Sequence, residues 1–129
     1  MAGELILIIE DNEKNRKLER DILQFHGYQT AEAATGEDGI SLAYATPPAL
    51  ILMDIHLPGM NGIDALRHLR ADPRTRDIPV IAVTASVMAH DRQNILAAGF
   101  DGYQSKPISV KPFLGAVRQM LDRGAGGAA

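Results

Sequence analysis

Unbroken apolar runs recur along the chain, each stopped by a polar side chain and followed by residues at helical spacing. Leu5 to Ile9 runs into Glu10-Asp11-Asn12, Leu50-Ile51-Leu52-Met53 into Asp54, and Pro79 to Val83 into Thr84. A short apolar run without polar alternation is the signature of a strand buried on both faces, as in parallel sheets. Tyr28 to Ala33 and Gly102 to Ser105 are weaker strands that bring the set to five. Between strands the period lengthens to that of helices. Asn12 is a good N-cap for a first helix whose inward face is predicted to be Leu18, Ile22 and Phe25, with Gly27 closing it. Gly36 to Ala45 is a second helix, turning Ile40, Ala43 and Tyr44 inward until Pro47-Pro48 stops it.

Ile63, Leu66 and Leu69 mark a third helix, after which residues 72–77 read as a polar surface loop. A fourth helix is expected near Met88 to Ala97, closing at Gly99. Ser109 caps the last, with Phe113, Leu114, Val117 and Leu121 facing in and Pro112 tolerated in the first turn. Residues 124–129 offer little to bury, so the pattern predicts a domain over 1–123 and a flexible C-terminal tail.

Strands alternating with helices give an α/β fold, a parallel sheet with right-handed crossovers and helices on its faces. The carboxyl ends of parallel strands share one rim, where open α/β folds place their chemistry. That rim gathers Glu10, Asp11, Asp54, Thr84 and Lys106. Pro58-Gly59 and Asn61-Gly62 force a turn just after Asp54, which offers its carboxylate to solvent beside a loop.

Composition narrows what such a rim could serve. The 129 residues suit one domain with a real core, and 46% hydrophobic and 22% charged residues are globular proportions. There is no cysteine, hence no disulfide frame or thiolate chemistry. No stretch has the length of a membrane span, and the first residues lack the form of a signal peptide, so a cytoplasmic protein is expected. A net charge of −3 without a basic stripe argues against direct DNA binding. His26, His56, His68 and His90 lack metal spacing, and Ser86 and Ser105 lack a His–Asp arrangement, so a hydrolase is not expected.

Two carboxylates ~4 Å apart repel by about 4 kcal/mol at an effective dielectric near 20. Three together would partly protonate unless a cation joins them, and oxygen ligands with room for water suit Mg²⁺. A Lys facing the metal can neutralise a further anion, and a hydroxyl can bond it. That set describes a phosphoryl site in which Asp54 is the natural acceptor, since a carboxylate can form an acyl phosphate. The competing reading makes Lys106–Asp54 an ordinary rim ion pair and Glu10-Asp11 a helix cap. Each element alone favours it; five at successive strand ends do not.

Glu10-Asp11-Asn12, Leu50 to Asp54 with Leu57-Pro58-Gly59-Met60-Asn61-Gly62, Val83-Thr84-Ala85, and Tyr103 with Lys106-Pro107 resemble the receiver domain of two-component response regulators. The resemblance runs from Leu5 to Leu121 and is strongest to free-standing regulators of the DivK and CheY type. It implies a three-layer flavodoxin-like fold with strand order 2-1-3-4-5. It implies that Asp54 takes a phosphoryl group from a histidine kinase or histidine phosphotransfer protein, with Mg²⁺ on Glu10, Asp11, Asp54 and the main-chain carbonyl of His56. Thr84 and Lys106 would contact the phosphoryl oxygens, Tyr103 would be the switch aromatic, and the Lys106–Pro107 bond would be cis. The chain would catalyse only its own phosphorylation and dephosphorylation, acting otherwise as a protein–protein switch.

A downstream partner would read the face made by the fourth helix, fifth strand and fifth helix. The first helix, with Arg16 and Arg20 exposed, would meet the phosphodonor. His56 and Ser86 lie two residues beyond Asp54 and Thr84, where they either flank an attacking water or simply face solvent. Ala49 and Gly39 depart from the usual family pattern, away from the site. Met1, and an end soon after the last helix, favour a free-standing regulator; a receiver excised from a hybrid histidine kinase is the alternative. A flavin or nucleotide binder of the same fold is remote, because acidic residues stand where a glycine-rich phosphate loop would follow the first strand.

Overall fold

In the computed structural model, which describes residues 3–85 and 89–127, every apolar run forms a strand. The elements are β1 (Leu5–Ile9), α1 (Glu13–Phe25), β2 (Gln29–Ala33), α2 (Gly36–Ala45), β3 (Leu50–Asp54), α3 (Gly62–Ala71), β4 (Val80–Thr84), α4 (Ala89–Ala97), β5 (Gly102–Ser105) and α5 (Val110–Gly127). The strands pair in parallel in the order β2-β1-β3-β4-β5, the flavodoxin-like arrangement. Helix α5 continues past Gly124, where the composition had ended the folded domain. Met88 lies outside the described residues. No helix among the described residues is long and apolar enough to cross a membrane.

Alternation of side chains along the central strands divides the core in two. Ile6, Ile8, Leu50, Leu52, Ile81 and Val83 pack against Leu23 of α1 and Phe113 and Val117 of α5. Leu7, Ile9, Ile51, Met53, Val80 and Ala82 pack against Ile40 and Ala43 of α2, Leu66 and Leu69 of α3, and Ile95 of α4. Polar residues at the strand ends therefore ride on rods fixed from both sides. Gly39 fits this packing: a Cβ there would lie 2.7 Å from Ile9 Cγ1, so Ile9 fills the room a larger helix residue would need. Ala49 is exposed, and its amide donates to the Leu5 carbonyl at 2.8 Å, so a side chain there has no structural task. Thr75, expected in a surface loop, is instead buried, and its hydroxyl donates to the Leu69 carbonyl at 2.6 Å.

The phase of α1 differs from the expected one. Asn12 is the N-cap, its side chain accepting from the Asn15 amide, and Gly27 (φ 89°) follows the C-cap His26. Ile22 packs against the core as expected, but the buried residues beside it are Glu19 and Leu23, while Leu18 is 40% and Phe25 86% exposed. Two constraints set this rotation. Arg16 and Arg20 both reach Glu32 on β2, which fixes one flank of the helix. At its end, the Tyr28 amide donates to the Leu23 carbonyl at 3.1 Å, drawing Tyr28 into the core beside Leu23. Turning Leu18 inward would break the first of these.

The consequence is a carboxyl in the core. Glu19 is 1% exposed, and its Oε2 has no hydrogen-bond partner among the described residues. Burial, helped by the charge of Glu10, pushes its pKa up to about 8. A carboxyl with a raised folded pKa keeps its proton longer in the fold than in the unfolded chain. Stability therefore falls as pH climbs from 4.5 through about 8. We predict that Glu19→Leu stabilises the protein by on the order of 2 kcal/mol at about pH 9, and by much less at about pH 5. Urea unfolding at both pH values checks this; an equal effect at the two would contradict it.

Candidate functional site

The ends of β1, β3 and β4 and the segment after β5 meet at one rim of the sheet. Glu10 directly follows β1 and is buried, its amide donating to the Ala33 carbonyl at 2.9 Å. Its Oε2 accepts from the Asn12 amide at 3.1 Å. Asp54, expected to face solvent, is instead 4% exposed at the end of β3, with Oδ1 accepting from the His56 amide at 3.0 Å. The chain then turns so tightly that a Cβ on Gly62 would lie 2.6 Å from the Asp54 carbonyl oxygen, which leaves glycine as the residue that fits. The Gly62 amide closes this turn on the Ile55 carbonyl at 2.9 Å.

Lys106 supplies the cation. Its amide donates to the Thr84 carbonyl at 2.9 Å, which brings the segment after β5 to the end of β4, and the Lys106–Pro107 bond is cis. Its Nζ donates to Asp54 Oδ2 at 3.2 Å and lies 2.7 Å from Glu10 Oε1, a meeting of charges rather than an aligned hydrogen bond. The charges reshape one another. Burial, together with the charge of Asp54, pushes Glu10 up to about 7, against the pull of Lys106 and the Asn12 amide. Burial alone would lower the Lys106 pKa, but Glu10 and Asp54 outweigh it and raise it.

Asp11 is exposed and stands at the mouth. One carboxylate oxygen from each of Glu10, Asp11 and Asp54 lies within 4.8 Å of the others. A set of hard oxygen donors, one open to water and another buried without an aligned donor, fits a small hard cation such as Mg²⁺. The same acidic turn would repel the phosphates of a bound nucleotide.

Thr84 ends β4 at the same rim, and Tyr103 stands on the neighbouring strand β5. Ala82 belongs to the face covered by α2, α3 and α4, and Tyr103 is its partner across the β4–β5 pairing. Thr84, two residues on from Ala82, shares that face. Thr84 is buried, whereas Tyr103 is half-buried, its hydroxyl accepting from Arg92 Nη1 at 2.8 Å and the guanidinium lying 5.7 Å from its ring.

Glu10, Asp11, Asp54 and Lys106 are thus brought together, with Thr84 at the next strand end. His56 is exposed and contributes its amide; Ser86 lies outside the described residues. Arg16 and Arg20 correct an expectation, since both are half-buried and paired with Glu32. The partner that holds them, Glu32, stands on a strand 12 or more residues away, so no helical spacing points to it. Arg92 carried no signal either: it is one polar residue in a helix without a clear apolar face.

A family model described as "Response regulator receiver domain" matches residues 6–118. The polar-differentiation response regulator DivK of Brucella ovis is 43% identical over 116 residues, covering 90% of this chain and 94% of that one. The crystal structure of the receiver domain of sensor histidine kinase PA1611 from Pseudomonas aeruginosa, with magnesium coordinated in its active-site cleft, has a TM-score of 0.87 and 33% identity, covering 94% of this chain and 99% of that one. A CheY-like receiver domain protein from Methanospirillum hungatei has a TM-score of 0.86 at 28% identity, covering 98% and 99%.

The geometry makes Lys106 the counter-ion of two buried carboxylates. Lys106→Met leaves Glu10 and Asp54 facing each other and should cost roughly 1–3 kcal/mol at about pH 8. The loss should shrink at about pH 5.5, where Glu10, with its pKa near 7, carries its proton. Urea midpoints at the two pH values test this, and a loss independent of pH would contradict it.

Proposed function

The chain belongs to the response regulator receiver family, and we propose that Asp54 is its phosphoacceptor. What carries the proposal is the juxtaposition of Asp54 with Glu10 and Asp11 within 4.8 Å and with Lys106 at 3.2 Å. An oxygen of the Asp54 carboxylate attacks the phosphorus of a phosphohistidine. The P–O bond forms as the P–N bond breaks, and the imidazole nitrogen leaves with its electron pair. No general base is needed, because a carboxylate attacks without losing a proton. The rim's contribution is position and charge: β3 holds Asp54 still, the His56 amide turns one oxygen away, and Lys106 neutralises the phosphoryl group. Glu10, Asp11, Asp54 and the main-chain carbonyl of His56 would hold Mg²⁺, which would supply the remaining positive charge. The chain acts on no other substrate, and water later attacks the phosphorus and releases phosphate.

Phosphorylation then becomes a conformational signal. The new oxygens attract the Thr84 hydroxyl, and a charge-assisted hydrogen bond commonly contributes about 1.5–3 kcal/mol. That suffices to bias an element whose two states differ by a few kcal/mol. Tyr103 on the same face turns inward as Thr84 moves, leaving Arg92 behind. The face of α4, β5 and α5, where Leu96 and Val110 stand exposed, is where a downstream protein reads the change. The histidine kinase or phosphotransfer protein approaches over α1, where the exposed Leu18, rather than the paired arginines, gives it an apolar foothold. The chain works as a cytoplasmic regulator in a phosphorelay, a reading supported by its likeness to the DivK relatives over nearly their whole length.

Acetyl phosphate with Mg²⁺ should add one phosphoryl mass to the protein, none to Asp54→Asn, and much less to Asp11→Asn, which should also bind Mg²⁺ more weakly. In the phosphorylated sample, Tyr103 and α5 amide signals should move with those around Asp54. Full modification of Asp54→Asn, or changes confined to the rim, would overturn the acceptor or the switch respectively.

A further inference from the structure

Two of the three rim carboxylates sit on one turn, Glu10-Asp11, between β1 and α1. Their spacing depends on how firmly the turn's backbone is held. The Glu10 amide is tied to β2 through the Ala33 carbonyl, and the Asn12 carbonyl accepts from the Arg16 amide at 2.9 Å. Between these lies the Glu10 carbonyl, the first past the end of β1. It accepts from Arg16 Nη1 at 2.9 Å. The same guanidinium donates through Nε to Glu32 Oε1 at 3.2 Å. One side chain from the first turns of α1 therefore grips the acidic turn and β2 together, a task suited to the rigid donor fork of arginine. Arg20 also bonds Glu32, through Nη1 at 3.1 and 3.3 Å, but no bond from it reaches the turn.

We propose that Arg16 is a positioning residue for the cation site: it fixes the main chain of Glu10, and so the spacing of the Glu10 and Asp11 carboxylates, while Glu32 balances its charge. This rests on the reading of the rim as a Mg²⁺ site. The assignment carries an unusual sign. A guanidinium beside a cation site repels the cation, so electrostatics alone makes removal of Arg16 tighten Mg²⁺ binding. Positioning makes its removal weaken binding. Arg20 is the internal control, because it shares the Glu32 partner and the charge without the bond to Glu10.

The experiment is a Mg²⁺ titration of the whole protein, followed by amide NMR of the Glu10–Asn12 turn, for wild type, Arg16→Ala, Arg16→Lys and Arg20→Ala. Arg16→Ala should bind Mg²⁺ roughly three- to tenfold more weakly, in line with one lost hydrogen bond. In the metal-free state its Asp11 and Asn12 amides should exchange faster with solvent. Arg20→Ala should match wild type or bind slightly more tightly. Arg16→Lys keeps the charge but cannot hold carbonyl and carboxylate at once, so it should fall between; it carries the comparison should Arg16→Ala fail to fold. Mg²⁺ affinity that is unchanged or raised in both Arg16 variants, tracking Arg20→Ala, would overturn the assignment. Absence of Mg²⁺ binding by wild type would instead overturn the reading on which it rests.

Discussion

Glu10 and Asp54 occupy the buried ends of neighbouring strands, and Lys106 reaches both. Like charges so close are tolerated inside a fold only with a counter-ion, a proton or a metal between them. This shortage of positive charge shapes the rim. Burial, with Asp54 beside it, lifts the Glu10 pKa, while Lys106 sits against both carboxylates and Asp11 stands exposed at the mouth. A hydrophobic end to these strands would be more stable and could do nothing. Receiver chemistry needs the opposite, carboxylates that outnumber the positive charges around them and so leave room for a cation.

Such a site is sustained by what does not move. The three central strands are buried on both faces, so Asp54 and Thr84 are held by packing as well as by backbone pairing. Glycine at position 62 lets the loop fold back on the Asp54 carbonyl, and Ile9 occupies the gap left by Gly39 so that α2 lies against β1. Arg16 extends the same rigidity to the acidic turn. The surface that would report phosphorylation is built differently. There Tyr103 is half-buried against the core, and among the described residues its hydroxyl bonds one exposed arginine, a contact that can be released.

Strand identity, sheet class and the rim residues could be read from the chain because an unbroken apolar run has one comfortable place, inside a parallel sheet, and its first polar residue marks the edge. The phase of α1 could not. Leu18, Ile22 and Phe25 form as good a stripe as Ile22 and Leu23 with Glu19, and periodicity cannot foresee that a carboxyl will be buried while a phenylalanine is left in water. What decides between them is a tertiary pairing, Arg16 and Arg20 with Glu32 on β2. Thr75 illustrates the same limit: its hydroxyl is satisfied by the end of α3, so a polar residue in a polar stretch is buried without cost. Motifs pointed to the residues that meet at the rim; the long-range polar contacts that support them leave no period.

At the rim Lys106 holds the place of positive charge between Glu10 and Asp54 until cation and phosphoryl group enter. A crystal structure of the protein with Mg²⁺ and beryllofluoride shows whether it does. The fluoride group is expected on Asp54, the ion on Glu10, Asp11 and Asp54, and Lys106 Nζ moved away from Glu10 onto a fluoride. An ion bound elsewhere, or Lys106 still seated between Glu10 and Asp54 beside a bound beryllofluoride, would contradict this.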